Sequence, residues 1–390
     1  MKFLLFISCL FLSLSFIESS FQMSFFKEMN KKYKNENLIV SPLSAYQVLG
    51  LTANGAKGKT LKEMLTALGN KNLEELNKIN TNILKLTKKF TTVEIANAIF
   101  TFEIPKKSFS AISSRYGATV EILRSAAQIN AWCKEKTHGK IKKIVDSLPN
   151  LAFMVLLNAV YFKGKWEEKF EERDTRKKTF YNCNDKSKAK EVERMSIQKK
   201  FRYYSDKELQ MVELPYQKDS MSAIIILPNR NKNINEFISE MSDDKIQLLI
   251  KKMDSGNEIA LALPKFELKF ESDLNDVLSK LGIHDAFNKK LADFRELIEK
   301  KDRPIWIDLV KQKAYLKVDE EGTEAAAVTG ITMDEIDPHE EEPKIIIPFI
   351  VDRPFLFMIR NKNMPKNYEM LFISKIKKLC HIELVMTPKK

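Results

Sequence analysis

Hydrophobic and polar residues follow two different periods along this chain, and the two periods predict both strands and helices. Segments whose apolar residues recur at every second position, or run without interruption, are typical of half-buried or fully buried β-strands. Such segments cover 154–162, 221–227, 259–270, 312–318, 345–351 and 354–359. Helical spacing of apolar residues predicts helices at about 60–69, 73–89, 127–137, 234–252 and 273–282. The two kinds of element interleave without the regular strand and helix alternation of a parallel sheet, so the pattern predicts an α+β fold.

The stretch NLIVSPLSAYQVLGL (37–51) contains a clear local boundary. Its apolar, strand-like start is followed by Ser41 and Pro42. Serine is a preferred N-cap residue, and proline is favoured in the first turn of a helix. We therefore expect a short buried strand that ends before Ser41 and a helix that begins at Pro42.

The first 20 residues have the pattern of a secretory signal peptide. Lys2 precedes an apolar run from Phe3 to Ile17, and small polar residues follow. This run is too short for a comfortable membrane span, so a retained anchor is the less favoured alternative. We expect cleavage near Ser19 or Ser20 and secretion of the mature chain to the extracellular space. No other segment is predicted to cross a membrane.

The composition permits a large folded core and adds a strong positive charge. Hydrophobic residues make up 44% of the 390 residues, which is enough for one large domain or two ordinary ones. The 65 Lys and Arg residues outnumber the 52 Asp and Glu residues, so the formal net charge is +13. Such a charge favours polyanionic partners such as glycosaminoglycans. The segments 134–143 and 86–90 are candidate heparin-binding patches, although a solvated helix face is the simpler explanation of both.

Residues that catalysis or metal binding would need are sparse. The four histidines lie far apart in sequence, and His-Glu-x-x-His, Gly-x-Ser-x-Gly and phosphate-binding glycine motifs are absent. The acidic residues around Gly322 do not have the spacing of a calcium loop. Without the signal peptide three cysteines remain, Cys133, Cys183 and Cys380, so any single disulfide would leave one free thiol. We therefore expect neither an enzyme nor a metalloprotein.

Six segments, taken in their order along the chain, resemble landmarks of the serpin family of protease inhibitors. They are NLIVSPLSAYQVLGLTANGAKGKTLKEML (37–65), INAWCKEKTHGKI (129–141), LNAVYFKGKWEEKFEERDT (157–175), ELPYQKDSMSAIIILP (213–228), LPKFELKFESDLNDVLSKLGIHDAF (263–287) and VDRPFLFMIRN (351–361). The resemblance extends from about residue 24 to 378. It implies a single serpin domain at 21–390 with about nine helices, three mainly antiparallel β-sheets and an exposed reactive-centre loop at about 320–343.

The segment KVDEEGTEAAAVTG (317–330) resembles the hinge of the reactive-centre loop in inhibitory serpins. The hinge residues that the resemblance implies are Glu320, Glu321, Gly322, Thr323, Glu324, Ala325, Ala326, Ala327, Val328 and Thr329. In the family, cleavage of the loop lets this segment enter the main sheet as a new strand. An inserted strand needs small, uncharged residues on its buried side. Every second residue from Thr323 to Thr329 lies on one face, and all four are Thr or Ala. A helical alanine cap or a plain flexible loop is the alternative explanation.

Five further residues resemble positions that control opening of the main sheet in serpins. They are Ser41, Ser44, Asn158, Gln312 and Trp166. The first four match a buried polar cluster beneath the point where strands part, and the last matches a tryptophan at the top of the opening. Serpins usually have histidine where this chain has Gln312, which can donate and accept hydrogen bonds but does not titrate. A helix cap, a satisfied core amide and a core tryptophan explain Ser41, Asn158 and Trp166 equally well.

The usual spacing between hinge and cut in serpins places the reactive bond at Ile336–Asp337. Because the segment that follows is longer than in most relatives, Met333–Asp334 and Asp337–Pro338 are alternatives. No Lys or Arg lies between 318 and 343, which argues against a trypsin-like target whose pocket needs a cation. An aliphatic residue before the cut favours an elastase- or chymotrypsin-like target instead.

The sequence DEID (334–337) also resembles a recognition sequence for caspase- or granzyme-like enzymes. An Asp-specific protease is therefore a second class of target. Pro338 disfavours cleavage directly after Asp337, because proline restricts the backbone on both sides of the bond.

The resemblance as a whole implies a one-shot protease inhibitor in which no residue is catalytic. A serine protease would cleave the loop, remain attached as an acyl-enzyme and be displaced as the hinge inserts. We expect a monomer that forms a covalent complex with its target, needs no cofactor and binds neither nucleic acid nor membranes, with a heparin-like polyanion as an optional partner. The alternative is a non-inhibitory relative that acts as a carrier or chaperone, but such relatives tend to have bulky or charged hinge residues.

Overall fold

The architecture is described by a computed structural model that covers residues 20–90, 92–148, 154–218, 220–299, 305–323 and 345–379. The helices in these ranges are α1 (Phe21–Lys32), α2 (Pro42–Ala53), α3 (Gly58–Ala67), α4 (Leu73–Thr87), α5 (Lys107–Arg115), α6 (Ala126–Lys136), α7 (Ile234–Glu240), α8 (Asp243–Lys252) and α9 (Asn275–Lys280). The strands are β1 (Leu38–Val40), β2 (Val93–Thr101), β3 (Thr119–Ile122), β4 (Met154–Phe162), β5 (Gly164–Lys165), β6 (Arg176–Tyr181), β7 (Ala189–Lys200), β8 (Arg202–Ser205), β9 (Leu209–Pro215), β10 (Met221–Pro228), β11 (Glu258–Pro264), β12 (Phe266–Asp273), β13 (Leu309–Val318), β14 (Gly322–Thr323), β15 (Ile346–Ile350), β16 (Phe355–Asn361) and β17 (Met370–Ile376).

The strands form three sheets in the described part of the chain. The seven-stranded sheet, called the main sheet below, runs β3-β2-β4-β13, with β12 on the far side of β13 and the short strands β14 and β5 at one end. The second sheet has the order β1-β17-β16-β10-β9-β8, and the third has the order β15-β11-β7-β6. Pairing is antiparallel except for β2 with β3, β4 with β13 and β11 with β15. The predicted α+β fold with three mainly antiparallel sheets is confirmed.

The helix start predicted at Pro42 is confirmed. Ser41 has an extended backbone and its hydroxyl oxygen accepts a hydrogen bond from the backbone N–H of Ser44 at 3.4 Å, while Pro42 is the first residue of α2. Every residue of α2 is buried, because the helix packs against both the main sheet and the six-stranded sheet. Ser41 and Ser44 are thereby fixed on the inner face of the main sheet.

The opposite face of the main sheet is covered by α6. Ile129, Trp132 and Cys133 of this helix form a second, smaller core with Phe100 and Leu157 of the sheet. Burial raises the pKa of Cys133 to about 12, so this thiol is neutral and unreactive at ordinary pH. Both Cys133 and Cys183 are free thiols, and Cys380 lies outside the described residues.

Two predicted elements are divided in the structure. The predicted helix 234–252 is interrupted, because the extended backbone of Met241 ends α7 and the Ser242 side chain then caps α8 by accepting from the Lys245 N–H. The predicted strand 259–270 becomes β11 and β12, which belong to different sheets. The division falls after Pro264, where the Lys265 N–H donates to the carbonyl oxygen of Glu193. The buried positions are odd-numbered up to Leu263 and even-numbered from Phe266, so the periodicity of two changes phase at this crossing.

Within the described ranges, none of the helices combines the length and the apolar character that a membrane span requires.

Ser374 in the middle of β17 generates a stability prediction. It is fully buried, and its hydroxyl has no hydrogen-bond partner among the described residues. Replacing Ser374 with Ala removes an unsatisfied polar group, so we expect the free energy of unfolding to rise by about 1 kcal/mol. The matched control is Ser222→Ala, because the equally buried Ser222 hydroxyl donates to the Glu213 carboxylate at 2.6 Å.

Urea unfolding at neutral pH measures both changes. We expect Ser222→Ala to lower the free energy of unfolding by about 1–3 kcal/mol, since it leaves a charged acceptor without this donor. A Ser374→Ala variant that is less stable than the unmodified chain would show that the hydroxyl does have a stabilising contact.

Candidate functional site

The candidate site is the end of the main sheet at which the predicted hinge begins. β4 and β13 run parallel and pair directly with each other over residues 155–161 and 309–315. β13 continues to Val318, a turn follows at 319–321, and β14 returns antiparallel. β14 lies between Val318 and the short strand β5, which follows β4. The first hinge residues thus form a short strand at the end of the main sheet. Beyond this strand, β4 and β13 pair directly with each other.

Glycine is required at position 322 because the backbone of β14 lies very close to the backbone of β5. The Gly322 φ of 154° is unfavourable for residues with a side chain, and a Cβ at this position would overlap the carbonyl oxygen of Gly164 and lie 2.8 Å from the Cα of Lys165. Both of these atoms belong to the backbone of β5, which cannot move aside as a side chain would. Glycine is therefore the residue that lets the hinge enter the sheet here.

Thr323 is fully buried under a pair of stacked aromatic rings. Its hydroxyl lies 2.7 Å from the hydroxyl of Tyr216, and the Tyr216 ring stacks on Trp166 with centroids 4.5 Å apart. Burial raises the pKa of Tyr216, so its hydroxyl stays neutral. The indole N–H of Trp166 donates to the carbonyl oxygen of Asp319 at 3.0 Å, and its backbone N–H donates to that of Glu321 at 3.0 Å. Trp166 therefore fastens the turn that precedes β14.

Glu320 anchors the same turn through its side chain. Its carboxylate accepts a hydrogen bond from the Thr175 hydroxyl at 2.7 Å and forms an ion pair with Lys265 at 3.0 Å. Burial acts to raise the pKa of Glu320, but Thr175 and Lys265 outweigh it and hold the pKa below its usual value. The backbone N–H of Phe170 donates to the Glu320 carbonyl oxygen at 3.0 Å. The start of the hinge is thus held by a buried charge pair as well as by backbone contacts.

The four predicted polar residues below the hinge come together in one buried hydrogen-bonded cluster. Asn158 and Gln312 face each other across β4 and β13, and the Gln312 amide donates to the Asn158 side-chain oxygen at 2.7 Å. Gln312 also donates to the carbonyl oxygen of Ser41 and accepts from its N–H, both at 3.0 Å. The Asn158 amide donates to the Ser44 hydroxyl and, at 2.6 Å, to the side-chain oxygen of Asn97 on β2. Asn97 was not among the predicted residues.

The family model of the serpins, described as serine protease inhibitors, matches residues 17–378. The chain belongs to the serpin family. The leukocyte elastase inhibitor of Bos taurus is 32% identical over 376 residues, which cover 90% of this chain and 96% of that relative. The native-state crystal structure of the thermophilic serpin tengpin is 31% identical with a TM-score of 0.82, and 92% of each chain is covered. Native protease nexin-1 with heparin is 27% identical with a TM-score of 0.79, and the coverage is 92% of this chain and 97% of that one. The predicted family and the serpin fold are confirmed.

Several residues to which the serpin resemblance assigns a role lie outside the described residues. These are Glu324, Ala325, Ala326, Ala327, Val328 and Thr329 of the hinge and Met333, Asp334, Ile336, Asp337 and Pro338 of the candidate reactive bonds. The predicted signal peptide at residues 1–20 also lies almost wholly outside the described residues, which begin at residue 20. All of these assignments stay predictions.

Three residues of this serpin's site were missed by sequence reasoning. Tyr216 lies in the segment ELPYQ that supported the resemblance. A tyrosine next to a strand end does not predict a contact with Thr323, which is more than one hundred positions away. Lys265 was placed inside one long strand, although it stands between β11 and β12. Asn97 lies in β2, which was not predicted as a strand. A polar residue within the otherwise apolar run IANAIF (95–100) was the available signal.

The two lysine-rich segments of this serpin meet at the rim of one cavity, where Lys88 follows α4 and Lys136 ends α6. Carboxylates accompany these lysines, since Lys136 pairs with Glu135 at 2.9 Å and His138 lies 2.8 Å from Glu94. A heparin site at these segments stays a prediction.

Among the described residues, no three or more His, Cys, Asp or Glu side chains are grouped so that they could hold a metal ion.

The contacts of Glu320 generate a pH-dependent prediction. We expect Glu320→Gln to lower the free energy of unfolding by about 1–3 kcal/mol at pH 7, because the charge-assisted bonds to Thr175 and Lys265 are weakened. The folded-state pKa lies below the usual 4.5, so the stabilisation is complete above that value and is lost as the pH falls through the lower folded-state pKa.

The midpoint of the first urea unfolding transition, measured at pH 7 and again at about pH 4, tests this dependence. The difference in this midpoint between the unmodified chain and Glu320→Gln is expected to be smaller at the lower pH. Glu193→Gln is the control, because Glu193 pairs with the same Lys265 at 3.5 Å but is more exposed, and we expect an effect below about 1 kcal/mol. An equal difference in midpoint at both pH values would contradict the assignment of this stabilisation to the ionised Glu320 carboxylate.

Proposed function

We propose that this serpin is a secreted inhibitor of serine proteases that acts as a suicide substrate. A protease cleaves the reactive-centre loop and forms an acyl-enzyme, and the freed hinge then inserts between β4 and β13 before the acyl bond is hydrolysed. The observation that supports this most strongly is the seating of Gly322 and Thr323 as a strand at the end of the closed β4–β13 pair.

The chemistry of the hinge supports insertion along the line that β14 begins. Thr323 points into the buried side of the sheet, where it meets Tyr216. A strand that continues from Thr323 would place Ala325, Ala327 and Thr329 on the same side. These residues are small and uncharged, so the core beneath the sheet can accept them without a large cavity or a buried charge.

The hydrogen bonding of the sheet supplies a driving force for insertion. A new strand that is antiparallel to both β4 and β13 replaces one parallel ladder with two antiparallel ladders, and antiparallel pairs are slightly more stable per residue. The bond between Gln312 and Asn158 must break first, since it crosses the line of entry. The cluster therefore opposes early opening, which keeps the intact molecule ready for a protease.

The loop sequence and one relative support an elastase- or chymotrypsin-like target. No Lys or Arg lies between 318 and 343 to suit a trypsin-like pocket, and the proposed reactive bond at Ile336–Asp337 presents an aliphatic residue. A relative at 32% identity is named leukocyte elastase inhibitor. An Asp-specific protease that recognises DEID is the second target class.

Secretion, the monomeric state and a polyanion partner are parts of the same proposal. The apolar run from Phe3 to Ile17 supports secretion, and the net charge of +13 supports an optional glycosaminoglycan. The solved structure of protease nexin-1 with heparin is a family precedent for such a partner.

Denaturing gels after mixing with elastase, chymotrypsin and trypsin test the proposed trap. We expect a covalent band with elastase or chymotrypsin and none with trypsin. Thr323→Arg is expected to abolish at least nine-tenths of this band and leave cleaved chain, because an arginine would keep residue 323 out of its buried position beside Tyr216, where insertion begins. Thr323→Ser is the matched control and should keep the band, since it keeps the hydroxyl at this position.

Two outcomes would contradict the proposal. An undiminished covalent band from Thr323→Arg would show that trapping does not depend on burial of this residue. Cleavage of the unmodified chain without a covalent band by every protease, including an Asp-specific one, would favour the carrier or chaperone alternative.

A further inference from the structure

A cavity of about 620 Å³ lies along the outer edge of β2, away from the hinge. β2 pairs with β4 over its whole length, but β3 covers only residues 98–101 on the other side. Residues 93–97 therefore form an open strand edge in the described part of the chain, and this edge lines the cavity. A strand edge presents backbone N–H and C=O groups in alternation, so the cavity wall offers both donors and acceptors.

Gln47 on α2 also lines this cavity and has an unusual side chain environment. It is 2% exposed, and neither its amide nitrogen nor its amide oxygen has a hydrogen-bond partner among the described residues. Buried polar side chains in native proteins are almost always paired with protein or with ordered water. An amide that is unsatisfied at both ends, beside a cavity of this size, indicates that something else supplies the missing donor and acceptor.

The remaining lining restricts what that molecule can be. Leu84, Val93 and Ile95 provide an apolar surface, and the Tyr116 ring lies at the same cavity. The volume falls within the range that small organic ligands occupy in proteins. An apolar body with a polar edge therefore fits the lining better than a strongly polar molecule does.

The charged groups at the rim largely neutralise one another. The lysines Lys88 and Lys136 are matched in number by the carboxylates Glu94 and Glu135; Lys136 pairs with Glu135 at 2.9 Å, and Glu94 is hydrogen-bonded to His138 at 2.8 Å. A fully charged ligand would have to compete with these pairs and would gain no buried counter-charge at Gln47. An uncharged ligand meets neither obstacle.

We propose that this cavity is a binding site for an uncharged small molecule that presents an amide-like edge, with an N–H donor beside an acceptor, on an apolar body. Gln47 pairs with that edge through two hydrogen bonds, as glutamine does with the donor and acceptor edge of adenine in nucleic-acid recognition. Carboxamides and adenine-like heterocycles share this edge, and the experiment below separates them. The site includes neither the hinge nor the reactive-centre loop, but Asn97 belongs both to this cavity and to the buried polar cluster of the main sheet.

Ligand-detected NMR titrations of the intact chain with three probes test the site. The probes are benzamide, adenine and N,N-dimethylbenzamide, which keeps the ring and carbonyl of benzamide but has no N–H. We expect benzamide or adenine to bind at least about fivefold more tightly than the dimethylated probe, which corresponds to one buried hydrogen bond. Tighter binding of benzamide identifies the carboxamide class, and tighter binding of adenine identifies the heterocycle class.

A variant assigns the effect to Gln47. Gln47→Met keeps the length of the side chain without its polar atoms, and we expect it to remove the preference for the probe that has an N–H. The control Gln217→Met changes an exposed glutamine outside the cavity and should leave the preference intact. If Gln47→Met does not fold, selective ¹⁵N labelling of glutamine in the unmodified chain gives the same answer, because the Gln47 side-chain resonance must shift with the tighter probe.

Three results would overturn the proposal. Equal affinity for benzamide and its dimethylated form would describe an apolar cavity that makes no use of the amide. A preference that survives in Gln47→Met, or a Gln47 resonance that does not move, would place the binding elsewhere. Absence of saturable binding of every probe would mean that water alone satisfies Gln47.

Discussion

The direct pairing of β4 with β13 is the contact on which the behaviour of this serpin depends. These two strands close the middle of the main sheet in parallel over 155–161 and 309–315. A parallel ladder is slightly less stable than an antiparallel one, so a sheet closed in this way can still gain hydrogen bonds from a strand of the opposite direction. The segment that would supply this strand begins only four residues after β13 ends. The proposed insertion would therefore bring together two strands and a hinge that lie next to each other in the structure.

Contacts at two levels join the strands and the turn at this end of the main sheet. At the hinge, Trp166 and Glu320 hold the turn, and Thr323 is buried against Tyr216. Below it, Asn97, Asn158 and Gln312 form a row of side-chain amides across three adjacent strands. Separation of β4 from β13 breaks the bond between Gln312 and Asn158, whereas the bond between Asn97 and Asn158 joins β2 to β4 and does not cross that boundary. None of the three amides titrates, and the row therefore does not add a pH-sensitive step of the kind that the histidine usual in serpins would add.

Local signals in the sequence predicted much of the fold, but they predicted few of the site's contacts between residues that are distant in sequence. The bounds of β4 and the cap at Ser41 followed from apolar runs and capping preference, which depend on neighbouring residues only. The family resemblance then indicated Ser44, Asn158 and Gln312, which do meet. Tyr216 and Lys265 were missed because their partners, Thr323 and Glu320, are distant in sequence.

The stretch 259–270 illustrates the same limit: its buried positions change from odd-numbered to even-numbered residues around Pro264, but this shift does not say which sheet each half joins. Nothing in a period of two states which neighbours a strand will have, and that choice is made by packing.

The most direct measurement of the central claim is the melting temperature before and after a single cleavage within 324–344. If the hinge inserts between β4 and β13, the cleaved chain must melt at a markedly higher temperature than the intact one. A cleaved chain that melts at the same or a lower temperature would contradict this account.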